Sequence, residues 1–353
     1  MKVFGKRLTL AVLMALAALT FGSRQSVVLA QAQGPETEDP VKVETYNRFY
    51  NNNKTNKAVA YKAAQDYLLK YKKDKDQYID YLQKWVAAYE SDERREALPG
   101  LINQKNFTEA FATGAKILAE DPNNLRVQID LGYAGYLAAS AKNEQFNATA
   151  LDYARKAIQA IESGKAPSPP PGAETGGVGT GGTSRPGNPP DIQDPTAWAP
   201  FKGKNDTLAY LHYAVGFLTL KSEPNQAIDS LLKAAQLESD IKKTPSTYYF
   251  LAVAYEAGPY KTLSGDYQAR FANKPETPES KAALEKLNVV MDRIIDAYAR
   301  AIAAAGTDPK TQQNRTDWTA KLLTYYKFRH EGSDAGMNEF IAAALQKPLP
   351  PKP

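Results

Sequence analysis

The sequence predicts an all-α fold, an α-solenoid of stacked antiparallel helical hairpins, and three observations carry that expectation. Apolar residues recur at three- and four-residue spacings from Tyr46 to Leu345, and no alternation long enough for a sheet strand interrupts them. Small residues recur where paired helices must cross: Gly132 and Ala134 in one segment face Ala150 and Ala157 in the next, because bulkier side chains would push closely packed axes apart. Turn clusters such as Asp121-Pro122-Asn123-Asn124 then end the segments, since proline cannot continue a helix and asparagine tolerates turn conformations. A hairpin of this kind leaves one apolar face uncovered, so it must stack on a neighbour.

Composition bounds the function. Of 353 residues, 43% are hydrophobic and 24% charged, the balance of an ordinary globular chain. The formal charge of +5 suggests a basic protein, but Lys2, Lys6, Arg7 and Arg24 lie in the first thirty residues with no acidic residue among them; without those four cations the charge is +1. A near-neutral chain gives no electrostatic case for nucleic acid. The absence of cysteine excludes disulfides, thiolate zinc sites and a lipidated N-terminal cysteine.

At the N-terminus, basic Met1–Arg7 precedes an apolar run of 14 residues, Leu8–Phe21. A membrane span needs roughly 20 apolar residues and a secretory core about 7–15. Residues 1–32 therefore read as a signal peptide, cleaved after Val28-Leu29-Ala30 or Ala30-Gln31-Ala32; an uncleaved anchor is the competing reading. The exported chain would be periplasmic or secreted and keep no integral membrane segment.

Residues 33–163 form the first block of hairpins. Gly34–Val43 reads as an extended leader, and Tyr46, Phe49 and Tyr50 mark one face of a short helix over 44–50. After the turn Asn51–Asn56, with Thr55 or Asn56 as cap, helices are expected over Ala58–Tyr71 and Tyr78–Tyr89, an aromatic-rich capping pair. Arg94–Asn103, interrupted or started around Pro99-Gly100, pairs with Phe107–Ala119. The next hairpin spans Leu125–Ser163, with a long connection at Ala141–Asn147.

Residues 164–205 form a Pro/Gly-rich disordered loop: Lys165–Pro190 holds seven prolines and seven glycines in 26 residues, which leaves too little apolar surface to fold. A coil of that length spans roughly 28 Å on average, enough to join adjacent hairpins, so the loop reads as an insertion in a continuous stack. Trp198 and Phe201 just beyond it are expected to dock the loop.

The second block, 206–346, opens at Asp206-Thr207, read as an N-cap. Leu208–Leu220 pairs with Gln226–Leu237. Pro245–Tyr255 is joined through a long Pro/Gly-punctuated connection, Gly258–Pro278, to a helix over Glu279–Ala305 that ends at Gly306. Asn314–Phe328 and Ser333–Leu345 make the last pair, capped by Asp317 or Thr316 and by Ser333. The tail 347–353 favours exposed polyproline II.

The spacing resembles the tetratricopeptide repeat, a family of helix–turn–helix units of about 34 residues. Leu131-Gly132, the Ala110–Pro122 interval, Ala150 and Ala157, Ala227, Leu231 and Ala234, and Tyr248, Leu251, Ala252 and Ala254-Tyr255 fall at family positions. Gly135 and Gly114 depart from it, standing where aromatics are expected. The resemblance implies a degenerate, exported member of four to six hairpins that binds a protein or peptide through a concave groove. The family's groove positions fall here on Ile129, Tyr133, Tyr136, His212, Thr219, Tyr249 and Glu256.

Catalysis has little to stand on. The two histidines, His212 and His330, lie on different hairpins, and no nucleophile elbow, zincin, P-loop or dinucleotide motif occurs. Glu109, Asp130 and Glu256 read as solvated or capping charges. The chain is expected to be non-catalytic, with no cofactor and no metal. Its 21 tyrosines also suit sugar stacking, so a periplasmic glycan- or cell-wall-binding module is the alternative to a protein partner.

Overall fold

A computed structural model describes residues 39–74, 76–168 and 195–353. The signal peptide read over 1–32 and most of the loop read over 164–205 lie outside them. Among the described residues no strand occurs and no helix is long and apolar enough to cross a membrane. The chain divides into two compact units, Met1–Leu82 and Gln83–Pro353.

In the first unit, α1 (Pro40–Asn52) packs on α2 (Lys57–Tyr71). Helix α1 starts earlier than expected because Asp39 accepts from the Val41 amide and Pro40 takes the first helical position, where its missing N–H costs nothing. Asn56 caps α2. Tyr46 stands at the centre of an aromatic cluster, 4.0 Å from the Tyr78 ring and 6.1 Å from Tyr67.

The boundary between the units falls within α3 (Gln77–Asn103), one helix where two were expected, with Pro99 inside it. The second unit continues through α4 (Phe107–Glu120), α5 (Leu125–Ser140), α6 (Asn147–Glu162), α7 (Lys204–Thr219), α8 (Pro224–Gln236) and α9 (Pro245–Tyr255). It ends with α10 (Lys261–Phe271), α11 (Pro278–Ala305), α12 (Gln312–Arg329) and α13 (Met337–Ala343). Asn106 and Asn124 each accept from a first-turn amide, and Thr277 forms a capping box with Ser280; such caps contribute about 1 kcal/mol each. Asp206 is not the cap of α7; its carboxylate accepts from the Lys202 amide across the turn around Gly203 instead. Neither Asp317 nor Thr316 caps α12, whose helix begins five residues before Asp317.

Consecutive helices pack from α4 to α9, then α9 on α11 and α11 on α12; α5 also packs on α7, and α7 on α9. Glycines set the closest approaches. A Cβ on Gly132 would lie 2.9 Å from the Ala154 backbone, and one on Gly135 would lie 2.0 Å from the Ala150 Cβ. Gly135, expected to be a departure from the pattern, is the tightest contact between α5 and α6.

Two buried arginines gather irregular backbone. Arg126, 3.8 Å from Asp130, donates to the carbonyl oxygens of Ser168 (3.2 Å), Ala199 (2.6 Å) and Ala197, so the chain before and after the loop meets at one guanidinium. Trp198 is 1% exposed and packs with Leu125, Ile129, Ile158 and Leu211. Arg300, paired with Asp296 at 2.7 Å, donates to the carbonyls of Lys347 and Pro348, and Arg293 donates to that of Pro351. The tail is thus fastened to α11 rather than free. Carbonyls in proline-rich backbone have few amide partners nearby, and the planar guanidinium fork supplies several donors at once.

Candidate functional site

The second unit carries an open cleft of about 690 Å³ built by α9, α11 and α12. Helix α9 presents Ser246, Tyr249, Phe250 and Val253, and α12 presents Asn314, Asp317, Trp318 and Lys321. Both sets follow the i, i+3, i+4, i+7 spacing of one helical face, so the two stripes look at each other. Tyr298 of α11 lies between them, 1% exposed. The Tyr249 and Trp318 rings stack at 5.2 Å and 23°.

At the end of α9 the helix widens into a π turn, Glu256–Tyr260. Such turns insert a residue into the helical register and recur at functional sites. Glu256, at the first position of the turn and three residues after Val253, continues the α9 stripe into the cleft. Oxygen Oε1 of Glu256 is buried without a hydrogen-bond partner. Burial, and then the adjacent Glu256 carboxylate, push the phenols of Tyr298 and Tyr325 well above the ordinary tyrosine range. Both hydroxyls also hydrogen-bond to the Glu256 carboxylate, but as neutral donors they do not cancel its charge, and Oε1 keeps no partner. The segment 258–278, expected to be a loop, is largely this π turn and α10. Its Gly258 serves close packing, since a Cβ there would be 3.2 Å from Pro224 and Asn225.

A continuous aromatic strip leads into the cleft. Tyr210 lies 5.3 Å from Tyr133, Tyr133 5.7 Å from Tyr136, and Tyr136 5.2 Å from Phe217. Phe217 is then 5.0 Å from Phe250, and Phe250 5.5 Å from Tyr249. All six rings are half-buried, so each keeps part of its surface in water.

Four of the seven expected groove residues thus fall on this feature: Tyr133 and Tyr136 on the strip, Tyr249 and Glu256 in the cleft. Three do not. Ile129 is 0% exposed in the core beside Trp198. Thr219 is also 0% exposed, its hydroxyl donating back to the Val215 carbonyl at 2.7 Å. His212 faces α6 and α8 in a separate shallow cleft, with Nε2 3.8 Å from Glu162. Helix α7 buries side chains around most of its circumference, so its spacing could not say which stripe faces outward. Phe217, Phe250 and Trp318 were missed; the Asn314–Lys321 stripe was the signal that would have found the last of them.

Burial pulls the His212 imidazole down to about 4, with Lys233 acting the same way and Glu162 against it. From its ordinary value of 6.5 down to about 4, the unfolded chain binds a proton that the folded chain refuses. The neutral imidazole's contribution is therefore present above pH 6.5 and lost on acidification toward 4. A His212→Gln chain is expected to keep on the order of 2–3 kcal/mol more of its neutral-pH stability at pH 4 than the parent. Urea midpoints of both chains at pH 7 and pH 4 check this, and equal acid sensitivity would refute it.

Comparison of the chain with protein-family models, with curated proteins and with solved structures finds no match.

Proposed function

We propose that this chain is an exported, non-catalytic scaffold of the tetratricopeptide-like kind that binds an extended segment of a protein partner along the aromatic strip and into the α9–α11–α12 cleft. The observation that carries this reading is the run of half-buried rings from Tyr210 to Tyr249 entering a cleft of ligand size. Half-buried aromatics offer large contact area at low entropic cost, which suits peptide recognition. The side-by-side packing of α5, α7 and α9 supports the family likeness. The periplasmic or secreted location rests on Met1–Ala32 as a leader.

The test is a photo-crosslinking amino acid placed at Phe250 in the cleft, and separately at Gln159 on α6, in cells making the full chain. Discrete polypeptide adducts are expected from position 250 and not from 159. Phe250→Ala should lower capture by a crosslinker at Lys321 by about tenfold or more, as loss of an aromatic anchor does. Equal labelling from both positions, or recovery only of glycan, would remove the protein-partner reading.

A further inference from the structure

We propose that the cleft receives a basic side chain of the partner, an arginine or lysine, with its cation set against Glu256 and its stem between the aromatic walls. This rests on the peptide-binding reading above and names the chemistry that reading leaves open. The α9 stripe carries Glu256 into the cleft, just where the helix widens into the π turn, with Oε1 buried and unpartnered. A buried carboxylate oxygen without a donor is unfavourable, and a cation brought by the partner would relieve that cost. The neighbouring Tyr298 and Tyr325 hydroxyls hydrogen-bond to the carboxylate as neutral donors, which leaves its charge in place and Oε1 without a partner.

The charges on the cleft lining sum to a negative value. Asp317 adds a second carboxylate on α12, its Oδ1 accepting from Gln313 at 3.0 Å. Lys321 is the cation on the lining, and it makes no ion pair with either carboxylate among the described residues. Two acids against one amine leave the cleft negative. Tyr249, Phe250 and Trp318 meanwhile offer ring surface to an aliphatic stem and a cation. An acidic peptide or a C-terminal carboxylate would meet this arrangement as repulsion.

The test uses the purified full chain and four acetylated, amidated pentapeptides, Gly-Gly-X-Gly-Gly, in which X is Arg, Lys, citrulline or Glu. Binding is followed by calorimetry and by amide shifts of cleft residues. Arginine and lysine peptides are expected to bind at least tenfold more tightly than citrulline, the neutral isostere of arginine, and glutamate not at all, with affinity falling as salt rises. Glu256→Gln should abolish the preference of Arg over citrulline while its melting temperature holds or rises, since an unpaired buried charge has gone. Phe250→Ala should weaken all binding peptides alike. Citrulline binding as well as arginine, Glu256→Gln keeping the preference, or no cationic peptide binding would each overturn the proposal. Loss of position-specific crosslinking at Phe250 would instead overturn the reading beneath it.

Discussion

An Arg126→Leu chain is expected to lose about 3–5 kcal/mol of stability, the cost of leaving a buried charge and several acceptors without their partner. Asp130 is the stranded charge. Burial already pushes its carboxyl up to about 6 with the arginine in place, and the arginine is what opposes that rise. The stranded acceptors are the carbonyls of Ser168, Ala197 and Ala199. Adding Asp130→Asn to Arg126→Leu should recover only part of the loss, because the carbonyls stay orphaned. Urea denaturation of the parent, the single variant and the pair checks this. A loss below about 1 kcal/mol would mean that water replaces the guanidinium at little cost.

The second large effect is expected from adding one methyl group. Alanine normally stabilises a helix interior by about 1 kcal/mol relative to glycine. At Gly135 the sign should reverse, because the new Cβ would sit 2.0 Å from the Ala150 Cβ, and a methyl on a helix backbone has no rotamer to move to. Helices α5 and α6 would have to separate, costing about 2–3 kcal/mol or more. The partner variant makes this decisive. Ala150→Gly deletes the atom struck, and the next nearest contact, the Ala150 Cα, is 3.5 Å away. Gly135→Ala with Ala150→Gly should therefore be more stable than Gly135→Ala alone, although glycine by itself weakens α6. Additive losses across that cycle would show that the contact is slack.

These two sites also show what was legible in the residues. Helix type and many termini were, since Asn56, Asn124 and Pro245 are local signals whose physics needs no neighbour. The crossing of α5 and α6 was legible as a run of small residues, but its register was not. Gly132 meets Ala154, and Gly135, set aside as a departure, makes the tightest contact. Punctuation misled at Gly258, where the glycine serves close packing, and at Pro99, which lies inside a continuous helix. The tail reads as free polyproline because the arginines that hold it lie about fifty residues upstream, and no local pattern joins them. The groove fell between these cases. Spacing along one helix places Tyr133 and Tyr136 on a shared face, but the strip depends on how α5, α7 and α9 are rotated against one another. That rotation put Ile129 and Thr219 inside.

The Arg126 clamp has one more consequence. A guanidinium that grips carbonyl oxygens reads main chain and is blind to what the side chains are, so it exerts no selection on the identity of Ser168, Ala197 or Ala199 beyond their fit. The fold fixes where those strands of backbone enter and leave, not how many residues lie between them. This makes the place a natural port for evolutionary drift in length and composition, and a rational address for grafting a foreign epitope or reporter.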